Sequence, residues 1–515
     1  MALHNLGQFV ECTAGILGRW FGPDAIAYQA SVMREYGRVF RLTGFFGEQI
    51  ISIADTKALY EVFIKHQDNF EEAEYFREYG KNLIFYFRNL RLVLGDAHRK
   101  QRKLMNPAFS INHMRRMIPI FQALTLQLQG IMHSNVSKEP KEIDIMEYTS
   151  RLALELISQA GFGHTFHAIE GQDDGYSLAV KTLVPLNGRL MFWRPLLPVL
   201  TRSIPGRILR FIAERVPWPT LHELIGNADV MHSTSRTIWE EKKRLHALGD
   251  KSVVNEYGEG KDIMSILLKT NMAASEEERL TDEELMAQIN TFTIAGSDTT
   301  SNALSRILYL LSLHPDVQDR LREELTDARG AAGEIGYDDL IELPYLEAVC
   351  RETLRLYPPI HFVQRQCRED FVLPLAHSFT DVHGKEKSEL FVPHGTTIFA
   401  NIIGVHRDEA IWGSDAAVWR PERWLSPLPN TVAQARVPGI YANLLTFIGG
   451  SRACIGFKFS QLEMKVVLSQ LIPTFRFAPS ETHEIVWRLG GIITPSVKGS
   501  TASKPELPLR VSLVK

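Results

Sequence analysis

The stretch Phe447-Ile-Gly-Gly-Ser-Arg-Ala-Cys454-Ile-Gly456 constrains this chain more than any other segment of it. It sets a cysteine between glycines, with an arginine two positions before the sulfur and an aromatic seven before. Glycines at 449, 450 and 456 suit a tight turn that brings backbone N–H groups close to a sulfur and to a flat macrocycle. Arg452 is placed to meet a propionate. A cysteine in such a setting reads as an iron ligand, because a thiolate on haem iron pushes electron density onto the metal and favours O–O bond cleavage. The segment therefore predicts oxygen chemistry on haem. A lone cysteine is more commonly a buried small hydrophobe, and that is the reading given to Cys12, Cys350 and Cys367. Five fixed identities, each at an average usage of roughly 5%, recur by chance in about one chain in ten thousand of this length, which sets the inert reading of Cys454 aside.

The pattern Phe-x-x-Gly-x-Arg-x-Cys-x-Gly resembles the haem-binding loop of the cytochrome P450 haem-thiolate monooxygenases, and three upstream motifs carry the resemblance further. The first is Ala295-Gly296-Ser297-Asp298-Thr299-Thr300. It falls inside a helix predicted to start at Thr281-Asp-Glu-Glu284, a capping box with an acidic first turn, and to run to His314-Pro315. Alone, such a run is usually a loop or a helix end. Apolar periodic sequence on both sides places it within the helix, where the Gly-Ser pair predicts a weakened hydrogen-bond ladder and a local opening for dioxygen. The resemblance implies that Thr299 hydrogen-bonds the dioxygen and that Asp298 relays solvent protons to it.

The second motif is Glu352-Thr-Leu-Arg355, on a helix predicted to begin near Pro344 and to end before Tyr357-Pro358-Pro359. Glutamate and arginine three apart share a helix face, and by themselves make only an ordinary surface pair. The third, Pro421-Glu-Arg423-Trp424, supplies a second guanidinium. The resemblance implies a structural role in which Arg355 and Arg423 clamp Glu352 in a buried network behind the haem. Burying such a triad is costly unless every partner is present.

By the same resemblance the cofactor is haem b, with the Cys454 thiolate as axial iron ligand and Phe447, Gly450 and Gly456 in the loop that holds it. Arg365, ten residues after Arg355, and the segment Gly95-Asp-Ala-His98-Arg-Lys-Gln-Arg102 fall where the family binds propionates. His98, Arg102, Arg365 and Arg452 would then meet two carboxylates through charge-assisted, forked hydrogen bonds. His98 departs from the tryptophan common in the family, which leaves its protonation state open. Substrate-facing regions are placed at Leu83, Ile84, Phe85 and Phe87, at Phe292 and Ala295, at Ile360 to Val363 and at Ile492 to Thr494. Such an apolar, aromatic lining orders a hydrophobic substrate by shape and dehydration, and the sequence does not choose among terpenoid, fatty and polycyclic aromatic molecules.

A chain of 515 residues suggests two or three domains on length alone, yet no linker interrupts this one. Polar stretches at 248 to 262, 271 to 283, 327 to 338 and 379 to 389 read as surface loops of one body. The expected fold is mainly α with a small β lobe: a 1–30 N-terminal segment, then a single haem-enclosing catalytic body over 31–515. Strands are predicted at Val39 to Leu42 and Gln49 to Ile53, with strand-like runs near 371 to 373, 389 to 392 and 396 to 399. With 45% hydrophobic and 23% charged residues and a net charge of -3, the chain is an ordinary globular one with no nucleic-acid partner. Four widely spaced cysteines give no disulfide framework and fit the reducing side of a membrane.

No apolar run near the start reaches the roughly 18 residues of a span, and Leu6 to Phe21 is interrupted by Glu11, Gly15 and Arg19. The resemblance, with Trp412-Gly413 and the Pro-Glu-Arg-Trp form, points to eukaryotic microsomal members, fungal ones among them. It implies the cytosolic face of the endoplasmic reticulum membrane, reached peripherally or through an anchor outside this sequence. The peripheral candidate is the proline-broken region Leu183-Val-Pro-Leu186 to Leu196-Leu-Pro-Val-Leu200, with Arg189, Arg194, Arg202, Arg207 and Arg210. The alternative is that its leucines are core. With no flavin or nicotinamide fingerprint on the chain, electrons are expected from an NADPH-dependent cytochrome P450 reductase, or cytochrome b5, docking near Arg99, Lys100, Lys103 and Lys458. Two rivals stand beside monooxygenation: a haem-thiolate isomerase or dehydratase that uses no dioxygen, and a non-catalytic haem sensor. Asp298 and Thr299 argue against both.

Overall fold

The computed structural model describes residues 16–22, 24–74, 94–172, 175–190, 193, 199–200, 203–247, 262–329, 333–381, 383–500, 502 and 504–514. Cys12, Leu83, Ile84, Phe85, Phe87, Arg194 and Arg202 lie outside them, as does most of the Leu6 to Phe21 segment. Helices dominate. Those that frame the site are α1 (Gly95–Met105), α2 (Ile145–Phe162), α3 (Gly175–Arg189), α4 (Gly206–Ala213), α5 (Asp282–Leu313), α6 (Pro344–Leu356) and α7 (Phe457–Thr474). Strands β1 (Val39–Thr43), β2 (Gln49–Ile53), β3 (Phe70–Glu71), β4 (Phe362–Cys367) and β5 (Thr397–Asn401) make one sheet in the order β1-β2-β5-β4-β3. β2 and β5 run parallel there, and the other neighbours pair antiparallel. A hairpin of β6 (Ile485–Leu489) and β7 (Ile493–Val497) stands apart from it.

Local chemistry sets the ends of the two helices that matter most. At the start of α5 the Thr281 hydroxyl accepts from the Glu284 N–H at 3.2 Å, and the Glu284 carboxylate accepts from the Thr281 N–H at 3.0 Å, so two otherwise orphaned donors are satisfied reciprocally. His314 ends that helix just before Pro315. In α6 the first helical residue is Pro344, which has no N–H to leave unpaired, and Tyr357 ends the helix ahead of two prolines.

Two sequence readings change in the structure. The run at 379 to 389 is no loop: Phe371–Thr380 and Glu386–Val392 pair as a hairpin, closed by the Asp381 N–H on the Lys385 carbonyl at 2.9 Å. The second concerns the opening expected in α5, since the helix is continuous from Asp282 to Leu313. A Cβ on Gly296 would sit 3.0 Å from Ile157 Cγ1, so the glycine lets α5 press against α2. The hydroxyls of Thr291, Thr293, Ser297 and Thr299 each donate to the carbonyl four residues back, at 2.6 to 2.9 Å. Such back-bonding competes with the helix ladder without breaking it here.

Candidate functional site

The segment carrying Cys454 is shaped by close backbone approach. A Cβ on Gly450 would lie 1.9 Å from the Phe63 carbonyl oxygen, and Gly450 holds φ +74; a Cβ on Gly449 would lie 2.2 Å from the Pro438 carbonyl oxygen. Neither position admits a side chain. The turn is tied by the Ala453 N–H on the Gly450 carbonyl at 3.1 Å and the Cys454 N–H on the Phe447 carbonyl at 3.0 Å. Phe447 stacks at an angle against Phe457, ring centres 6.1 Å apart. Gly456 caps α7 at its N-terminus. Ala453 and Ile448 are buried, while Cys454 is exposed. Cys350 and Cys367, by contrast, are buried, and desolvation pushes the Cys350 thiol up to about 12.

Four basic residues far apart in sequence converge beside this loop. Arg102, on α1, donates through Nη1 to the Ala453 carbonyl at 2.6 Å; burial lowers its guanidinium, and Cys454 acts in the opposite direction. Arg365, on β4, is 3% exposed and donates to Glu72 Oε1 at 3.1 Å. Desolvation lowers Arg452, with Glu72 and Arg365 next in its field. His98 feels them all: burial first, then Arg452, Arg102, Arg99 and Arg365, pull it down to about 3. The imidazole is therefore neutral, and neither ring nitrogen has a hydrogen-bond partner among the described residues. An exposed thiol on a turn held by close backbone approach, and beside it a positive cluster with an unused imidazole, fit a flat ring that carries an iron on one face and two carboxylates at its edge.

The α5 residues divide between two surroundings. Thr299 and Ala295 share one face, joined by the Thr299 hydroxyl bond to the Ala295 carbonyl at 2.6 Å. Ala295 is exposed although Phe292, Thr293 and Ser297 around it are buried, so a chamber of open space lies beside this turn. Asp298 points elsewhere, into a cavity of about 10 Å³ lined also by Ser150, Ser177, Lys181 and Ser297, about the space of one water. Desolvation raises its carboxyl to about 7, and Lys181, on α3, acts in the opposite direction. Phe292 is 5% exposed and packs edge-on against Phe109 at 5.5 Å. In the other regions assigned to substrate, Ile360 and Val363 are half-buried and Ile492 is 8% exposed.

The structure also brings Glu352, Arg355 and Arg423 together. Glu352 and Arg355 are fully buried and form a two-pronged pair, Nε to Oε2 at 2.9 Å and Nη2 to Oε1 at 2.7 Å. Arg423 adds Nε to Oε1 at 3.3 Å. Sequence reasoning missed the rest of the cage: the Trp424 indole N–H on Oε2 at 3.0 Å, the Arg420 backbone N–H on Oε1 at 3.1 Å, and the His406 and Ala416 carbonyls that each accept from Arg355 at 2.6 Å. It missed His406 too. The His406 imidazole donates from Nδ1 to the Arg355 carbonyl at 2.9 Å and accepts at Nε2 from the Leu445 N–H at 2.7 Å. It thus bridges α6 to the segment leading into the cysteine loop. No spacing or composition in the sequence marks that residue.

The family model for cytochrome P450 matches residues 20–501. The chain belongs to the cytochrome P450 family. It is 46% identical over 515 residues to cytochrome P450 monooxygenase 91 of Postia placenta, an alignment covering 98% of this chain and 93% of that protein. It is 40% identical over 501 residues to a ganoderic acid synthetase of Ganoderma lucidum, covering 95% and 91%. A monooxygenase of Hericium erinaceus is 34% identical over 491 residues, covering 93% and 87%. This P450 is therefore an oxidoreductase of a haem-thiolate class, with haem b on a cysteine axial ligand, and of a family that takes electrons from a redox partner and acts on hydrophobic substrates. Eukaryotic P450s are typically membrane-associated. No helix among the described residues of this one is long and apolar enough to cross a membrane.

Proposed function

We propose that this P450 inserts one atom of dioxygen into a hydrophobic small molecule of fungal secondary metabolism, with electrons from NADPH-cytochrome P450 reductase. The observation that carries the reading is the pairing on α5 of a carboxyl raised to about 7 with a neighbouring hydroxyl that faces the chamber at Ala295. Bound haem b would supply dioxygen activation, which its thiolate ligand turns toward O–O cleavage. Cys454 would provide that thiolate, with Phe447, Gly450 and Gly456 holding its loop. His98, Arg102, Arg365 and Arg452 would hold the propionates. Asp298 takes a proton from the water-sized cavity beside Lys181, and Thr299 holds one at its hydroxyl oxygen on the chamber side. A group poised near neutrality passes protons in either direction with little driving force lost. Glu352, Arg355 and Arg423 fix α6 behind the loop as a structural network, and residues 31–515 act as one catalytic body.

The reductase, or cytochrome b5, docks on the cysteine side. Lys100 and Lys458 supply charge there, because Arg99 is already paired with Asp96 at 2.7 Å and Lys103 with Glu278 at 2.7 Å. The protein rests on the cytosolic face of the endoplasmic reticulum through its exposed apolar surface. Of the region named from sequence, Leu183 and Leu186 are buried, Val199 and Leu200 are exposed, and Leu196 and Leu197 lie outside the described residues. The exposed surface comprises Trp193, Val199 and Leu200 with Ile208, Phe211 and Ile212 of α4, each at least 41% exposed, beside Arg207 and Arg215.

Oxygen consumption by the reconstituted holoenzyme tests the central claim. With reductase and NADPH present, Thr299→Ala should keep consuming oxygen while product falls at least tenfold and peroxide release rises to match. Full product formation by that variant would remove the relay. A wild-type protein that turns over substrate without NADPH would favour the isomerase reading instead.

A further inference from the structure

Seven residues beyond Thr299 on α5 stands Arg306, only 7% exposed. Its guanidinium carbon lies 3.3 Å from the centre of the Trp487 ring and 4.4 Å from that of Tyr357. Aromatic faces hold a guanidinium flat without satisfying its N–H groups. Among the described residues Arg306 has no carboxylate partner and donates no hydrogen bond. Burial pulls it down to about 9; the phenols of Tyr357 and Tyr309 oppose this, and Arg407, a second cation, adds to it.

Arg407 is short of acceptors too. It lies 5.5 Å over the same Tyr357 ring, gives Nη2 to the Leu356 carbonyl at 2.7 Å and leaves Nε buried without a partner. Both ring nitrogens of His361, 2% exposed, and the indole N–H of Trp487 are likewise buried and unpaired. A stacked guanidinium that donates no hydrogen bond among the described residues, next to buried donors left unpaired on Arg407 and Trp487, is unfavourable unless something acceptor-rich completes the cluster. The cluster adjoins the segments assigned to substrate. His361 belongs to the 360–363 stretch, and the Ile493 N–H on the Pro359 carbonyl at 2.9 Å ties β7 to that loop. Residues seven apart share a helix face and lie about 10 Å apart along the axis, so Arg306 and Thr299 look toward the same side of α5.

We propose that Arg306, with Arg407 beside it, forms an anion subsite for one carboxylate of an otherwise apolar ligand. The carboxylate accepts a forked pair of hydrogen bonds from the Arg306 guanidinium, an arrangement matched to its planar geometry. This inference rests on the monooxygenase reading. It adds that the substrate is a lipophilic acid whose oxidised carbon lies about 10 Å from its carboxyl carbon.

Calorimetric titration of the holoenzyme with 4-bromobenzoate and with its neutral isostere 4-bromobenzamide tests the subsite. The acid should bind at one site per chain at least tenfold more tightly than the amide, and Arg306→Gln should abolish that preference. Crystals grown with 4-bromobenzoate should place bromine anomalous density beside Trp487. Competition with acetate identifies the source of the anion: displacement at equal concentration assigns the subsite to a free small anion, and displacement only at large excess assigns it to a substrate carboxylate. Equal affinities for acid and amide, no measurable binding of the acid at millimolar concentration, or an unchanged preference in Arg306→Gln would each overturn the proposal. Carbon monoxide difference spectra and NADPH-supported oxygen uptake, measured on the same wild-type preparation, read the monooxygenase function separately.

Discussion

Asp298 holds its proton because its surroundings are dry. Burial lifts the carboxyl from its ordinary 3.8 to about 7, so the folded chain binds a proton that the unfolded chain releases. The sign follows by linkage: the contribution of this group to stability is full below about pH 4 and declines as pH climbs toward 7, where the buried carboxyl ionises. Asp298→Asn should flatten that part of the stability curve in thermal melts across pH 4 to 8. It should also slow coupled product formation about tenfold or more and remove an inflection near pH 7. A variant profile that keeps the wild-type inflection would assign it to another group. The identity of this residue was legible in the Ala-Gly-Ser-Asp-Thr-Thr run. Its surroundings were not, because Ser150, Ser177 and Lys181 reach it from α2 and α3, more than a hundred residues earlier in the chain. Arg306 was illegible for the same reason: an arginine on an apolar helix face declares nothing until Trp487 and Tyr357 fold over it.

Among elements, α6 shows what sequence can and cannot specify. Proline chemistry at both ends set its limits, and the i, i+3 spacing put Glu352 and Arg355 on one face. Burial of that face was set by the 406–424 segment, which wraps the pair with backbone carbonyls, Arg423 and Trp424. Glu352→Gln keeps the shape and removes the charge, leaving two buried guanidiniums unbalanced. The expected cost is about 3–5 kcal/mol, seen as a lower Tm and as loss of haem absorbance relative to protein absorbance. A variant with normal haem content would show that the network is dispensable. In α5 the local rule failed instead: Gly-Ser read as a weak point, yet the helix runs uninterrupted through it where Gly296 packs on Ile157. A contact between helices overrode a local preference.

Over the whole molecule, apolar surface is unevenly shared. The core takes Leu183, Leu186 and Leu190, while α4 turns Ile208, Phe211 and Ile212 outward next to Arg215, which stacks on Phe211 at 3.4 Å. Exposed apolar side chains rimmed by arginine suit the boundary of an anionic bilayer. Replacing Ile208 and Phe211 together by aspartate should lower partition into anionic vesicles at least tenfold in co-sedimentation, with carbon monoxide spectra unchanged. Equal partition would move the contact elsewhere. Hydrophobic periodicity could indicate that this region was apolar, but not which residues turned inward: α3 buries Leu183 and Leu186, whereas no residue of α4 is buried.

His406 joins distant parts of this architecture. Its Nε2 accepts from Leu445 only while the ring is uncharged, and burial beside Arg355 keeps it so down to about pH 3. In stronger acid the imidazolium would turn that acceptor into a second donor facing an N–H. The cage around Glu352 and the turn bearing the sulfur would come apart at the same protonation, so acid bleaching and acid unfolding should be a single event.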